Sequence, residues 1–169
     1  MATIVSNIET STIETSFGLL GKIVLDKPKA LNALSTDMIE AIQTALDDWA
    51  NNDDVQAVWI EGAGEKAFCA GGDVVMLYHS MKETEAGDVP AKAAEFFTKE
   101  YKLDQTIHEY AKPIIIWADG IVMGGGLGVA VGGSHRIVTE RSMISMPEVT
   151  IGLYPDVGAS WFFNRMPGK

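Results

Sequence analysis

The sequence holds a single cysteine, Cys69, among 169 residues. That excludes an intramolecular disulfide framework and a cysteine-rich zinc site, and it fits a reducing compartment. Basic residues are scarce as well: 13 Lys and Arg stand against 23 Asp and Glu, a formal charge of −10 with a pI near 4.6. Broad contact with nucleic acid or an anionic membrane surface is excluded on that balance. The deficit is uneven, since residues 1–85 carry 5 basic and 14 acidic groups while residues 86–169 carry 8 and 9. An anionic ligand must therefore find a local basic spot. Long apolar runs are also missing. The nearest is Ile114 to Gly133, twenty residues with Asp119 as the only charge, but seven of them are glycine and Asp119-Gly120 reads as a turn. A strand, a turn and a helix fit it better than a bilayer span. The segment Met1 to Thr15 is polar, with two glutamates and no apolar stretch, so no signal peptide is expected.

What is present is enough for a sizeable core, because 47% of the residues are apolar and the length is close to that of one domain. Residues 8–25 read as two strands joined by a turn at Phe17-Gly18. After Lys27-Pro28-Lys29 the period changes. Met38, Ile42, Ala45, Leu46 and Trp49 recur at helical spacing behind Ser35 or Thr36 as N-cap. Val55 to Ile60 reads as a buried strand, and Phe68-Cys69-Ala70-Gly71-Gly72-Asp73 leads into a short helix. A longer helix is expected from Ala91 to Tyr110, with Ala93, Phe96, Phe97, Leu103 and Ile107 on one stripe. Strands at Ile114 to Ala118 and around Arg136 to Thr139 flank a small-residue helix opened by Gly124 to Gly126. Alternating strands and helices with crossovers make an α/β fold. There is no internal repeat and no low-complexity tail.

Several common chemistries find no support. Gly62-Ala63-Gly64-Glu65-Lys66-Ala67 matches a loose dinucleotide pattern after a strand, yet the residues that should open a helix are Phe68 to Gly72, and a plain turn accounts for them better. Lysine follows glycine at Gly21-Lys22 and at Gly168-Lys169, and neither pair is followed by Ser or Thr, so there is no P-loop. Ser134 and Ser160 lack a nucleophile-elbow frame, and His79, His108 and His135 sit in no metal-ligand spacing. Cys69 is better read as a small buried residue beside a glycine turn than as a thiolate.

Two glycine clusters remain, Cys69-Ala70-Gly71-Gly72-Asp73 and Met123-Gly124-Gly125-Gly126-Leu127-Gly128. Each precedes a helix, where N–H groups are unpaired. Two such ends aimed at one point form an oxyanion hole with no polar side chain; glycine serves close backbone packing equally well, and spacing alone leaves both readings open. Three acids in apolar surroundings favour a site. Glu100 interrupts the stripe of the long helix, Glu148 lies in Met143-Ile144-Ser145-Met146-Pro147-Glu148-Val149, and Asp156 follows Leu153-Tyr154-Pro155. Poorly solvated carboxyls tend to raised pKa values, as general acids and bases require.

Lys29-Ala30-Leu31-Asn32-Ala33-Leu34, Lys66 through Asp73, Gly120 through Gly128 and Met146 through Asp156 together resemble the crotonase (enoyl-CoA hydratase/isomerase) superfamily, most of all its 3-hydroxyisobutyryl-CoA hydrolase branch. The likeness runs from about Thr12 to the end of the chain. It implies a crotonase-like spiral of ββα units, an acyl-CoA thioester as substrate, and an oxyanion hole from the N–H groups of Gly72 and Gly125. It implies CoA binding near Lys29, Ala30 and Leu31, with Ala70 and Gly72, and Lys27, Lys29 and Lys66 would be the local basic spot. Glu100, Gly125, Glu148 and Asp156 would line the acyl pocket, with Glu148 the main catalytic carboxylate and Asp156 beside it. No separate cofactor and no metal is implied, CoA being part of the substrate. Enoyl-CoA hydratases use two glutamates around a water, and where the first should stand this sequence has Gly128. Hydration wants a paired acid and base, whereas thioester hydrolysis needs an oxyanion hole and one carboxylate. Valine catabolism, a cytoplasmic or mitochondrial-matrix location and a homo-oligomer are further expectations. Residues 1–169 would be the core domain of a longer protein whose C-terminal helices close the pocket. The alternatives are an enoyl-CoA hydratase or isomerase and, in another class, a non-catalytic acyl-CoA binding module.

Overall fold

A computed structural model describes residues 3–166, so Met1 and the Gly168-Lys169 pair lie outside the described residues. The hairpin expected at residues 8–25 is β2 (Ile8–Thr15) and β3 (Gly18–Leu25), preceded by a short β1 (Thr3–Val5) that no sequence pattern announced. Thr15 closes its turn: the hydroxyl donates to the Gly18 carbonyl at 2.7 Å and accepts from the Phe17 N–H at 3.1 Å. Helix α1 (Thr36–Ala50) starts on Ser35, whose hydroxyl accepts from the Met38 N–H, and it buries Met38, Ile39, Ile42, Ala45, Leu46 and Trp49. β4 (Val55–Gly62) runs past the expected end. It buries Val55, Val58 and Ile60 while Gln56 faces outward, so it is half-buried and not buried on both sides.

Beyond it come β5 (Ala67–Cys69), α2 (Val74–Lys82), α3 (Ala91–His108), β6 (Ile114–Ala118), β7 (Ile121–Met123), α4 (Gly125–Gly132), β8 (His135–Val138), β9 (Met143–Ser145) and α5 (Ala159–Phe162). The larger sheet has the order β1-β2-β3-β4-β6-β8, parallel from β3 onward, and the smaller one is β5-β7-β9, all parallel. Each repeat therefore adds one strand to the large sheet, one three-residue strand to the small sheet, and then a helix. After β3 the chain does the same in miniature, since Leu34 bridges Gly72 in parallel before α1 begins. This is a spiral of ββα units.

The core lies between the large sheet and the helices. Ile23, Leu25, Val58, Ile60 and Ile116 from the strands meet Met38, Ile42, Leu46, Phe96 and Leu103 from α1 and α3, all buried almost completely. Each such side chain contributes about 1.5–3 kcal/mol relative to exposure. The loop between β3 and α1 is tied down by Asn32, which is fully buried: its amide donates to the carbonyls of Ala63 (3.0 Å) and Ala67 (2.8 Å) and its oxygen accepts from the Lys27 N–H (3.0 Å). The Gly62 to Ala67 stretch is accordingly a bend between two strands with no helix opening from it. Among the described residues no helix is long and apolar enough to cross a membrane.

Candidate active site

Because β5 and β7 are parallel neighbours, the chain leaves both at the same end of the small sheet, and the two glycine clusters begin there. They meet. A Cβ placed on Gly125 would stand 3.5 Å from the Gly72 nitrogen, and one placed on Gly71 would stand 3.6 Å from the Gly125 nitrogen. Gly124 has φ +52°, in the left-handed region that an L side chain seldom adopts, and it turns the chain from β7 into α4. Gly125 is the first helical residue, so its N–H has no intrahelical acceptor. Among the described residues neither the Gly72 nor the Gly125 N–H donates a hydrogen bond. The Gly72 peptide is itself held firmly: Leu34 N–H donates to the Gly71 carbonyl and Asp73 N–H to the Leu34 carbonyl, each at 2.8 Å. Asp73 then caps α2, accepting from the Met76 N–H, and takes the Lys27 ammonium at 3.1 Å.

Three acids close on these glycines. Glu100 comes from the middle of α3, 2% exposed, and a Cβ on Gly125 would stand 2.0 Å from its Oε1. Glu148 opens the 3-10 turn Glu148–Ile151 after Pro147 and is 8% exposed. Its Oε1 lies 2.6 Å from where a Cβ on Gly124 would be. Asp156 reaches in from the segment before α5 and accepts a 2.6 Å hydrogen bond from the Tyr101 hydroxyl. With Ala70, Gly72, Phe96, Phe97 and Leu77 these acids enclose a cavity of about 80 Å³. A larger cavity of about 710 Å³ lies on the other side of Asp156, between α3, α4 and the segment leading into α5.

The acids are short of partners. One oxygen of Glu100 and one of Glu148 are buried with no hydrogen bond, as are both oxygens of Asp104, one turn further along α3. Burial pushes Glu100 up to about 9, reinforced by Asp104, Asp156 and Glu148. Burial, then Asp156, pushes Asp104 up to about 8. Glu148 is also raised, by burial and then by Asp156, against the opposing effect of its own backbone N–H. A carboxyl of that kind is a stronger base when ionised and a usable proton donor when it is not. Burial and the bond to Asp156 together hold the Tyr101 phenol protonated.

All the sequence-derived acyl-site residues, Glu100, Gly125, Glu148 and Asp156, are thus brought to one place with Gly72 and Ala70. Lys29, Ala30 and Leu31 lie at the 3-10 turn Pro28–Ala30, with Lys29 and Ala30 exposed. The basic spot is smaller than the sequence suggested, because Lys27 is paired with Asp73, leaving Lys29 and Lys66 exposed to solvent. Cys69 is fully buried against Gly126, and burial pushes its thiol up to about 12, which makes it a packing residue. Asp104 and Tyr101 were missed. Asp104 stands four residues after Glu100 on the same helix face, so the stripe argument that singled out Glu100 applies to it unchanged.

Two unpaired N–H donors at one point beside a buried carboxyl are suited to stabilising an oxygen that becomes negative, as in acyl transfer or enolate chemistry. Among the described residues no three His, Cys, Asp or Glu side chains are disposed to hold a metal ion. Comparison with known proteins agrees in direction. A family model described as enoyl-CoA hydratase/isomerase matches residues 20–169. A protein of Danio rerio named 3-hydroxyisobutyryl-CoA hydrolase, mitochondrial, is 45% identical over 152 residues, which are 90% of this chain and 38% of that protein. A Neurospora crassa protein named small ribosomal subunit protein mS47 is 43% identical over 89% of this chain and 29% of its own length. A crystal structure of a carnitinyl-CoA dehydratase from Mycobacterium thermoresistibile superposes with a TM-score of 0.85 at 42% identity, over 97% of this chain and 46% of that one. The chain spans less than half the length of each of these relatives.

Proposed function

The chain belongs to the enoyl-CoA hydratase/isomerase family, and from that premise we propose that it is the core of an acyl-CoA thioester hydrolase, with 3-hydroxyisobutyryl-CoA as substrate and valine catabolism as its setting. The observation that carries this reading is the pairing of one carboxyl, Glu148, with the Gly72–Gly125 donors, while position 128, where a hydratase of the family has its first glutamate, is glycine. Asp104 does bring a carboxyl close to Gly128, but it faces the larger cavity and not the one that contains Glu148. The 80 Å³ cavity suits a small acyl group, and its acids suit one that carries a hydroxyl.

In the proposed reaction the thioester carbonyl oxygen accepts from the Gly72 and Gly125 N–H groups. Glu148 either attacks the carbonyl carbon or takes a proton from the water that does. The tetrahedral oxyanion collapses, the C–S bond breaks, and CoA leaves as thiolate. On the water route the free acid forms directly and the proton taken by Glu148 passes to the thiolate; on the attack route the acyl group stays on Glu148 as a mixed anhydride, which water hydrolyses to the free acid, restoring the Glu148 carboxylate and supplying the thiolate's proton. Glu100, neutral at pH 7, and Asp156, braced by Tyr101, orient the acyl hydroxyl or the water. Each donor of the oxyanion hole supplies roughly 3 kcal/mol of transition-state stabilisation. Thiol release from 3-hydroxyisobutyryl-CoA, measured beside hydration of crotonyl-CoA, tests the assignment; fast hydration with negligible thiol release refutes it. Glu148→Gln should abolish turnover and leave CoA binding intact. The ribosomal name of one relative favours a second reading, a scaffold without chemistry. The three buried or half-buried acids around the glycine pair weigh against it, because binding alone does not need them.

A further inference from the structure

One acid of the cluster has no part in that reaction. Asp104 stands one turn after Glu100 on α3, and both of its carboxyl oxygens are shut off from solvent with no hydrogen-bond partner among the described residues. It lines the larger cavity, behind Asp156, and does not reach the smaller one. Its Oδ2 lies 3.0 Å from where a Cβ on Gly128 would stand, and the Val157 Cβ lies 2.7 Å from the same point. The missing side chain at 128 is therefore the seat in which Asp104 and Val157 meet. Val157 is the residue next to Asp156, and it holds φ at +41°, a conformation that a β-branched residue adopts only where its surroundings impose it. The seat, the strained residue and Asp156 form one continuous support.

We propose that Asp104 is a positioning residue for Asp156: a neutral carboxyl, seated on Gly128, that backs the strained Asp156-Val157 link and keeps negative charge out of the space behind the acyl cavity. This rests on reading the smaller cavity as an acyl-CoA site. A buried carboxylate that makes no ion pair and accepts no hydrogen bond is the costly form of the group, so the acid form persists at neutral pH. The titratable groups that face it are Glu100, Tyr101 and His108 on its own helix, Tyr154 and Asp156 on the following segment, and Cys69 on β5. α4 offers only glycine and valine there. Ionisation near 8 puts a negative charge behind the Asp156 carboxylate, and repulsion between them then acts on a link that is already strained.

The test uses a non-hydrolysable thioether analogue of 3-hydroxyisobutyryl-CoA, so it does not depend on turnover. Wild-type affinity is expected to hold level up to neutral pH and then to fall about tenfold as pH passes about 8, with a second loss near 9 from Glu100. Asp104→Asn, neutral at every pH, should bind as wild type does near neutrality and lack the first fall while keeping the second. A first fall unchanged in Asp104→Asn overturns the proposal, because a merely structural residue would leave the pH profile alone. Carbon-13 spectra of aspartate-labelled wild-type protein give an independent reading: a neutral carboxyl signal near pH 7, lost in Asp104→Asn, is expected, and a fully ionised set overturns the proposal even if the variant does not fold. The two readings fail separately. Wild-type protein that does not bind the analogue refutes the acyl-CoA site, whereas binding with an unaltered profile in the variant refutes only the role of Asp104.

Discussion

Replacing Glu100 by glutamine should make the protein more stable, increasingly so as pH rises. Glu100 is 2% exposed, faces no cation, and ionises at about 9 in the folded chain against 4.5 for the ordinary group. Between those values the folded state holds a proton that the unfolded state has released. The folded-state pKa is raised, so the stability contributed by the protonated group is fully present below 4.5 and is lost as pH rises towards 9, at about 1.4 kcal/mol per pH unit. Glutamine keeps the shape and has no proton to lose. The two proteins should therefore be matched in this respect near pH 4.5 and differ by about 4 kcal/mol near pH 7.5, three units further on. Asp104, Asp156 and Glu148 share in the shift, so part of that difference belongs to the cluster. Half of it, about 2 kcal/mol, would still move a urea midpoint by roughly 1 M. Urea unfolding followed through the four tryptophans at several pH values between 5 and 8 measures it. A stability difference that stays constant across that range refutes the reasoning, since it would mean that Glu100 carries its charge in the folded state and cannot act as a neutral donor in the site.

Three other outcomes follow from the same geometry. Gly125→Ala would set a methyl group 2.0 Å from the Glu100 Oε1 and disturb the donor pair, so thiol release should fall by about 10²–10³, and wild-type turnover would contradict the oxyanion role. Asn32→Ala leaves the Ala63 and Ala67 carbonyls and the Lys27 N–H without their partner, and calorimetry or urea titration should show a loss of about 2–4 kcal/mol. Lys27→Met breaks an ion pair whose side chains are 27% and 26% exposed; the stability change should stay under about 1 kcal/mol, and a larger one would mean that the pair holds the Gly72 loop in place.

How far the fold could be read from the sequence followed the length over which a pattern repeats. α1 and α3 were legible because their apolar residues recur over 15 and 18 residues, and β6 because five apolar residues lie between turns. β5, β7 and β9 have three residues each, too few to show a period of two, and they lie next to glycine turns or loops, so the small sheet was invisible although it sets the whole site. The spiral itself came from the resemblance. The same limit applies to the site: Glu100, Glu148 and Asp156 were each conspicuous as acids in apolar company, but nothing local in the sequence brings α3, the 3-10 turn and the segment before α5 to one point. That convergence comes from the small sheet as a whole, in which β9 lies beside β7 and delivers Glu148 to Gly124, and from α3 packing on α4, which sets Glu100 against Gly125. Asp104 differs, because its signal lies in the stripe of α3 itself, four residues after Glu100.

The net charge bears on the chemistry through that cluster. Glu100, Asp104, Glu148 and Asp156 lie on or behind the wall of a site whose proposed task is to stabilise a negative oxygen, and four ionised carboxyls there would oppose it. Burial resolves the conflict. With Glu100 ionising at about 9 and Asp104 at about 8, two of the four are neutral at pH 7; Glu100 can then donate a hydrogen bond towards the charge that develops, and Asp104 adds no charge behind Asp156. What raises these two is mainly the apolar packing of α3 against its neighbours, which cannot be reproduced by surface acids of the same number. The 14 acids of the first 85 residues are in this sense a different population from the four of the site. On the proposed function, the phosphates of the CoA substrate would meet neither population but the exposed Lys29 and Lys66. A protein of net charge −10 can therefore hold an anionic thioester, provided that its site acids are buried deeply enough to keep their protons.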